Sequence, residues 1–332
     1  MVMATGIVSL AAHLMEPGSL ERLLFLLNIV AYGVLCVLTA VRLSKHPRRV
    51  LADLCDHRRG PGFFALVAGT SLLGSQAALL ADAYAVAAVL FVVAVCLWLL
   101  LIYAVFAGLT IKAQKPPLDE GIGGTWLLAV VATQSIAALG ALLASHAAEP
   151  WRLQLNFVSL SMWLLGGMLY IWMIALIFYR YTFLRFSPAD LSPAYWINMG
   201  AMAISTLSGA LLIGNARDAP LIATLLPFVK GFTLLYWTTG TWWIPLLVIL
   251  AFWRYVVRRF PLRFDPLYWA AVFPLGMYAA STHEMARVLG IGFLDIVSTA
   301  FLYLALVAWV ATFAGLVLEL ARRLLPSAWP IS

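Results

Sequence analysis

FFALVAGTSLLGSQ (Phe63–Gln76) is an apolar stretch of helical length with a Gly-Thr-Ser trio at its centre. Its style recurs along the chain. VATQSIAA (Val131–Ala138) repeats VAGTSLLG (Val67–Gly74) at a displacement of 64 residues, and MAISTLSG (Met202–Gly209) at 135. MATGIVSL (Met3–Leu10) opens the chain in similar style, whereas AAVFPLGMYAAS (Ala270–Ser281) shares the small residues but not the pattern. Between these lie segments of another kind. AVAAVLFVVAVCLWLLLIYAVF (Ala85–Phe106) and SMWLLGGMLYIWMIALIFY (Ser161–Tyr179) are bulky, aromatic and nearly free of polar groups. Such helices suit lipid, with Trp and Tyr near the interfaces. Small and hydroxylated residues belong where backbones approach closely or line a cavity. The alternation predicts odd-numbered helices inside and even-numbered helices outside, as five hairpins. The repeat alone fits a packing seam as well as a cavity wall.

Composition places the chain in a membrane. Of 332 residues, 64% are hydrophobic and 11% charged, against about 25% charged in a soluble domain. Apolar stretches long enough to be helices fall near 1–14, 20–43, 61–82, 84–111, 122–146, 154–179, 192–214, 231–256, 267–288 and 291–321. About 20 apolar residues span a bilayer, so the first is short, and it reads as the second half of a helix. The connections are brief, which predicts a single transmembrane domain over 1–332 and no soluble domain.

Charge distribution predicts the orientation. Cytoplasmic loops accumulate Lys and Arg. The segments after the even-numbered stretches hold 16 of the 21 basic residues, from Arg42 to Arg323. Both termini are expected in the cytoplasm, and the net charge of +7 becomes a topology signal with no call for nucleic acid. Cys36, Cys55 and Cys96 show no paired spacing and imply neither disulfide nor metal. HEMAR (His283–Arg287) lacks the second His of a zinc-protease motif, no P-loop is present, and no nucleophile–base cluster suggests an enzyme.

Together VMATGIVSLA (Val2–Ala11), FFALVAGTSLLGSQ, GTWLLAVVATQS (Gly124–Ser135), PAYWINMGAMAISTLSGA (Pro193–Ala210) and YWAAVFPLGMYA (Tyr268–Ala279) resemble the tellurite-resistance/dicarboxylate transporter family, which includes the slow-type plant guard-cell anion channels. The resemblance covers every odd-numbered helix in order. It implies an all-α membrane protein of ten helices, five hairpins in quasi-fivefold arrangement around a central pore, assembled as a homotrimer in a bacterial inner membrane. It also implies passive conduction of small anions without a cofactor, and a gate at Phe273, the phenylalanine of the FPLG context. Pro274 removes a backbone donor and can kink the helix there.

The pore-lining residues expected are Gly6, Thr70, Ser71, Gly74, Thr133, Ser135, Ser205, Thr206, Gly209 and Met277. A wall of hydroxyls without strong charge would bind an ion weakly and let it leave. Glu284 and Arg287 fall near the line of Phe273 on the same helix and could pair at i, i+3. An unpaired Glu284 would instead suit a proton-coupled carrier of four-carbon dicarboxylates or small oxyanions such as sulfite or tellurite, the alternative that the family permits.

Overall fold

The computed structural model describes residues 1–324, and those residues form helices and turns with no strand among them. Ten principal helices follow in order: α1 (Val2–Met15), α2 (Leu20–Lys45), α3 (Phe64–Ala81), α4 (Tyr84–Ile111), α5 (Leu128–Ala144), α6 (Trp151–Phe183), α7 (Ile197–Gly214), α8 (Leu226–Phe252), α9 (Trp269–Leu289) and α10 (Asp295–Leu324). Eight of them are long and apolar enough to cross a membrane. Of the ten spans expected, α1 falls short by length, with 14 residues. The second half of α9 carries Ser281, Thr282, His283, Glu284 and Arg287, which dilute its hydropathy. The protein is an integral membrane protein.

Burial separates the helices into two sets. The most apolar window is 94% buried in the segment containing α5 and 89% in that containing α7, but only 17% in α2 and 22% in α8. The odd-numbered helices pack in cyclic order: α1 on α3, α3 on α5, α5 on α7, α7 on α9, and α9 back on α1. Each even-numbered helix lies against the odd helix before it and the odd helix after it, α10 reaching α1.

Local sequence repeats at the starts of the inner helices. Gly60–Phe63, Gly124–Leu127, Pro193–Trp196 and Pro266–Tyr268 form 3-10 turns that lead into α3, α5, α7 and α9. Proline early in such a turn loses nothing, because the first N–H groups have no partner within the helix. At its other end α9 stops at Gly290, whose φ of 70° is the left-handed conformation that glycine adopts without cost.

A second repeat joins the outer set to the inner. In each case an aromatic donor of an even helix reaches an acceptor on the next odd helix. Trp98 Nε1 of α4 bonds to Thr133 Oγ1 of α5 at 2.8 Å, and Trp163 Nε1 of α6 to the Ser205 carbonyl of α7 at 2.8 Å. Trp237 Nε1 of α8 bonds to Thr282 Oγ1 of α9 at 3.0 Å, and Trp309 Nε1 of α10 to Thr5 Oγ1 of α1 at 3.0 Å. Tyr32 of α2 meets Thr70 Oγ1 of α3 at 2.9 Å. The single Thr70 proton goes to the Leu66 carbonyl, so the Tyr32 hydroxyl is the donor.

Charged groups fasten the ends where α5 and α7 begin. Arg180, in the last turn of α6, is 6% exposed. It donates to the Ile122 carbonyl at 2.5 Å, the Tyr195 hydroxyl at 2.6 Å and Asp190 Oδ1 at 3.1 Å. Between α2 and α3, Asp53 is bound by Arg59 and Arg42. The hydrogen bond from Arg59 and the charges of both arginines hold its carboxyl below the usual range.

Arg180→Met removes three bonds at once and is expected to cost about 3 kcal/mol, lowering the Tm of the purified protein by roughly 4 °C. Arg180→Lys should recover less than half, because an ammonium cannot match the planar fork. An unchanged melting temperature in both variants would deny the clamp its role.

Candidate functional site

Inside the inner set lies a cavity of about 370 Å³. All five odd helices contribute to it at the same spacing. α1 presents Ile7, Leu10 and Leu14; α3, Leu72, Ser75 and Leu79; α5, Ser135, Ala138 and Leu142; α7, Ile204, Leu207 and Leu211; α9, Met277, Ala280 and Glu284. Each trio follows i, i+3, i+7, the stripe of one helical face. Ala141, Ser145, Gly214, Asn215 and Arg287 complete the lining toward the C-terminal ends of these helices. The Arg287 side chain is 59% exposed, so the cavity opens at that end.

The lining is mostly aliphatic, with a few polar groups. Ser75, Ser135 and Ser145 donate to the carbonyls of Ser71, Val131 and Leu142 on their own helices. Asn215 Nδ2 bridges the Ala141 carbonyl at 2.8 Å and Asn156 Oδ1 at 2.9 Å. Glu284 is 5% exposed, and one of its oxygens receives Arg287 Nη2 at 2.6 Å and Nε at 3.1 Å. Among the described residues, the only charges on the wall form one ion pair between adjacent turns of α9, and they cancel.

Of the residues singled out in the sequence, Ser135, Met277, Glu284 and Arg287 line this cavity. Phe273 is 2% exposed and lies one turn N-terminal of Met277, outside the lining. The i−4 positions of the five stripes there are Met3, Ala68, Val131, Gly200 and Phe273, of which Phe273 is the largest. Pro274 lies within α9. A Cβ on Gly200 would strike the Pro274 ring, so α7 and α9 approach closely at this level.

The other expected lining residues sit elsewhere. Thr70 and Thr133 accept from α2 and α4. A Cβ on Gly6 would meet Asn28, Leu72 and Gln76; on Gly74, Leu139 and Leu90; on Gly209, Thr233 and Trp163. All three are notches between helices. Ser205 and Thr206 bond to the carbonyls of Ala201 and Met202. Ser71 is buried, its hydroxyl without a partner among the described residues. Ser75, Ser145 and Asn215 are lining residues that sequence reasoning passed over. Ser75 stood in the quoted stretch, one turn beyond Ser71. Among the described residues no cluster of His, Cys, Asp or Glu could hold a metal.

A helical membrane protein with a solute-sized cavity among its inner helices has the architecture of a transport protein. The chain belongs to the voltage-dependent anion channel family, whose model matches residues 1–317. This confirms the resemblance to the tellurite-resistance/dicarboxylate transporters, a family of transporters and channels rather than enzymes. An uncharacterized transporter of Methanocaldococcus jannaschii is 26% identical over 317 residues, covering 94% of this chain and 90% of that protein. An uncharacterized membrane protein of Mycobacterium tuberculosis is 35% identical over 156 residues, 47% of this chain and 79% of that one.

Cysteine labelling tests the placements. In a chain whose three native cysteines are replaced by alanine, Ser75→Cys, Ser135→Cys and Ala138→Cys should react with a charged thiol reagent more than about tenfold faster than Thr133→Cys or Gly209→Cys. A thiol needs access to react. Equal rates across the set would contradict the cavity as drawn.

Proposed function

We propose that the protein is an anion channel, passively conducting small anions along a pore on the axis of five hairpins in quasi-fivefold arrangement. One observation carries this reading: a single i, i+3, i+7 register lines one cavity from all five inner helices, in a chain of the anion channel family. The whole chain acts as a single transmembrane domain. Basic residues concentrate after the even helices, which favours both termini in the cytoplasm, with the cavity opening outside in a bacterial plasma membrane. The resemblance further favours a homotrimer with one pathway per subunit.

Phe273 is the gate. Its ring stands where the other four stripes offer Met3, Ala68, Val131 and Gly200, so its side chain closes the inner end of the cavity. Truncation there would join the cavity to the other side. Above it the wall offers hydroxyls that can turn from a backbone carbonyl to an anion, and no net charge. Weak binding sites of this kind favour passage over tight recognition, and anions that dehydrate easily should pass best. Among the described residues, the pairing of Glu284 with Arg287 leaves no free carboxylate on the cavity wall to couple protons, which weighs against a carrier.

Planar-bilayer recordings decide the matter. Wild type should carry little current and Phe273→Ala at least about tenfold more, with reversal potentials that follow the anion gradient. Each factor of ten corresponds to about 1.4 kcal/mol of barrier. Glu284→Gln should raise anion selectivity by leaving Arg287 unopposed, without abolishing current. Silence from wild type and Phe273→Ala, together with uptake of labelled dicarboxylate or sulfite that follows a pH gradient and fails in Glu284→Gln, would establish the carrier instead.

A further inference from the structure

The end of α8 widens into a π-helical turn, Trp253–Val257. Arg258 N–H bonds five residues back, to the Trp253 carbonyl, at 2.8 Å. Turns of this type recur at functional sites. This one carries Arg254, which is 8% exposed. Its guanidinium lies 4.2 Å from the centroid of the Phe260 ring and 5.1 Å from that of Tyr255. Its Nε and Nη1 are enclosed and have no hydrogen-bond partner among the described residues. No carboxylate of those residues pairs with it. An arginine cannot shed its proton, and a buried charge without a counter-charge is among the costliest arrangements a fold can hold. Stacking on two rings offsets part of that cost but satisfies neither N–H.

Beside Arg254 is a second cavity of about 70 Å³, between the end of α8 and the starts of α7 and α9. Ser192, Tyr195, Tyr255 and Tyr268 help to line it, and it shares no lining residue with the first cavity. The Tyr255 and Tyr268 hydroxyls are 3.0 Å apart, so one donates to the other and the second keeps a free proton. By this measure one water needs about 10–15 Å³; the space exceeds a water and suits a tetrahedral oxyanion. The stretch from Arg254 to Arg263 holds four arginines and no acidic residue, so the surrounding field favours an anion.

We propose that this pocket binds a phosphate group, with one edge of the Arg254 guanidinium, Nη2 together with Nε or with Nη1, as its donors. A phosphate accepts two parallel N–H bonds from a guanidinium. The group is either the headgroup of an anionic lipid or free phosphate. The exposed apolar surface of α8 next to the pocket, Val248, Phe252 and Val256, would lie along acyl chains, and basic pockets between membrane helices hold lipid headgroups in this way.

The test is thermal melting of the purified protein in detergent, with phosphatidylglycerol, phosphatidylcholine or inorganic phosphate added at constant ionic strength. Wild type, Arg254→Gln and Ala251→Leu are compared. The last keeps the arginine but fills the pocket that Ala251 lines, so it serves if Arg254→Gln does not fold. Wild type should gain about 4 °C or more from phosphatidylglycerol over phosphatidylcholine, and the variants less than a quarter of that. A gain from inorganic phosphate that the variants likewise lose would assign the pocket to a soluble ligand. No gain from either probe, or equal gains in all three proteins, would overturn the site.

Discussion

The inner helices are held in rotation by hydrogen bonds that reach in from the outer ones. Within a bilayer, lipid is as apolar as a leucine side chain, so the hydrophobic effect does not drive helix against helix. Direction must come from packing and from polar contacts. Tyr32, Trp98, Trp163, Trp237 and Trp309 supply one donor for each inner helix. Each bond is worth only about 0.6 kcal/mol on average, yet it is angularly selective. One residue of slip turns a helix by about 100° and would carry the acceptor away from its donor. Thr5, Thr70 and Thr133 stand two residues before Ile7, Leu72 and Ser135 in their stripes. On those helices the acceptor that faces outward sets which residues face inward.

That arrangement explains the character of the cavity. Part of the polar content of the inner helices is spent on neighbours: Thr5, Thr70, Thr133 and Thr282 take indole or phenol protons, and Gly6, Gly74 and Gly209 admit side chains of adjoining helices. What is left to face the axis is aliphatic, relieved by Ser75, Ser135, Ser145 and a self-neutralising ion pair. A wall of this kind offers an ion little beyond a place to stand. Its selectivity follows from how readily the ion gives up water rather than from a matched set of ligands.

The sequence made the membrane class, the inner and outer sets and the family legible, because composition and the alternation of small with bulky helices survive any error of phase. The face of each inner helix was not legible. A soluble amphipathic helix displays its buried stripe against a polar one, but α5 is buried throughout and its polar residues Thr133, Gln134 and Ser135 are consecutive, so no single polar face marks its rotation. The repeat matched Ser71 with Ser135, whereas the cavity aligns Leu72 with Ser135. It matched Ser71 with Thr206, whereas Ile204 shares the stripe of Leu72. These shifts, of one residue in α5 and of about a turn in α7, separate Ser135, which lines the cavity, from Thr133, which does not. Glu284 and Arg287 were readable because charges three apart on one helix announce themselves. Arg254 was read only as one of many topology charges, since its burial depends on a π turn that its sequence does not advertise.

The bond from Trp309 to Thr5 spans 304 residues, and Tyr303 reaches Glu16 alongside it at 2.6 Å. Contacts this distant in sequence cannot form until α10 has been made. At about 5–20 residues per second, α1 would wait on the order of 15–60 s after its own synthesis before α9 and α10 arrived to cover it. During that interval the short first helix has only α2 and α3 for company, while the later hairpins can add to neighbours already in place. Biogenesis therefore has a seam: assembly proceeds around the ring in the order of translation and closes α10 onto α1.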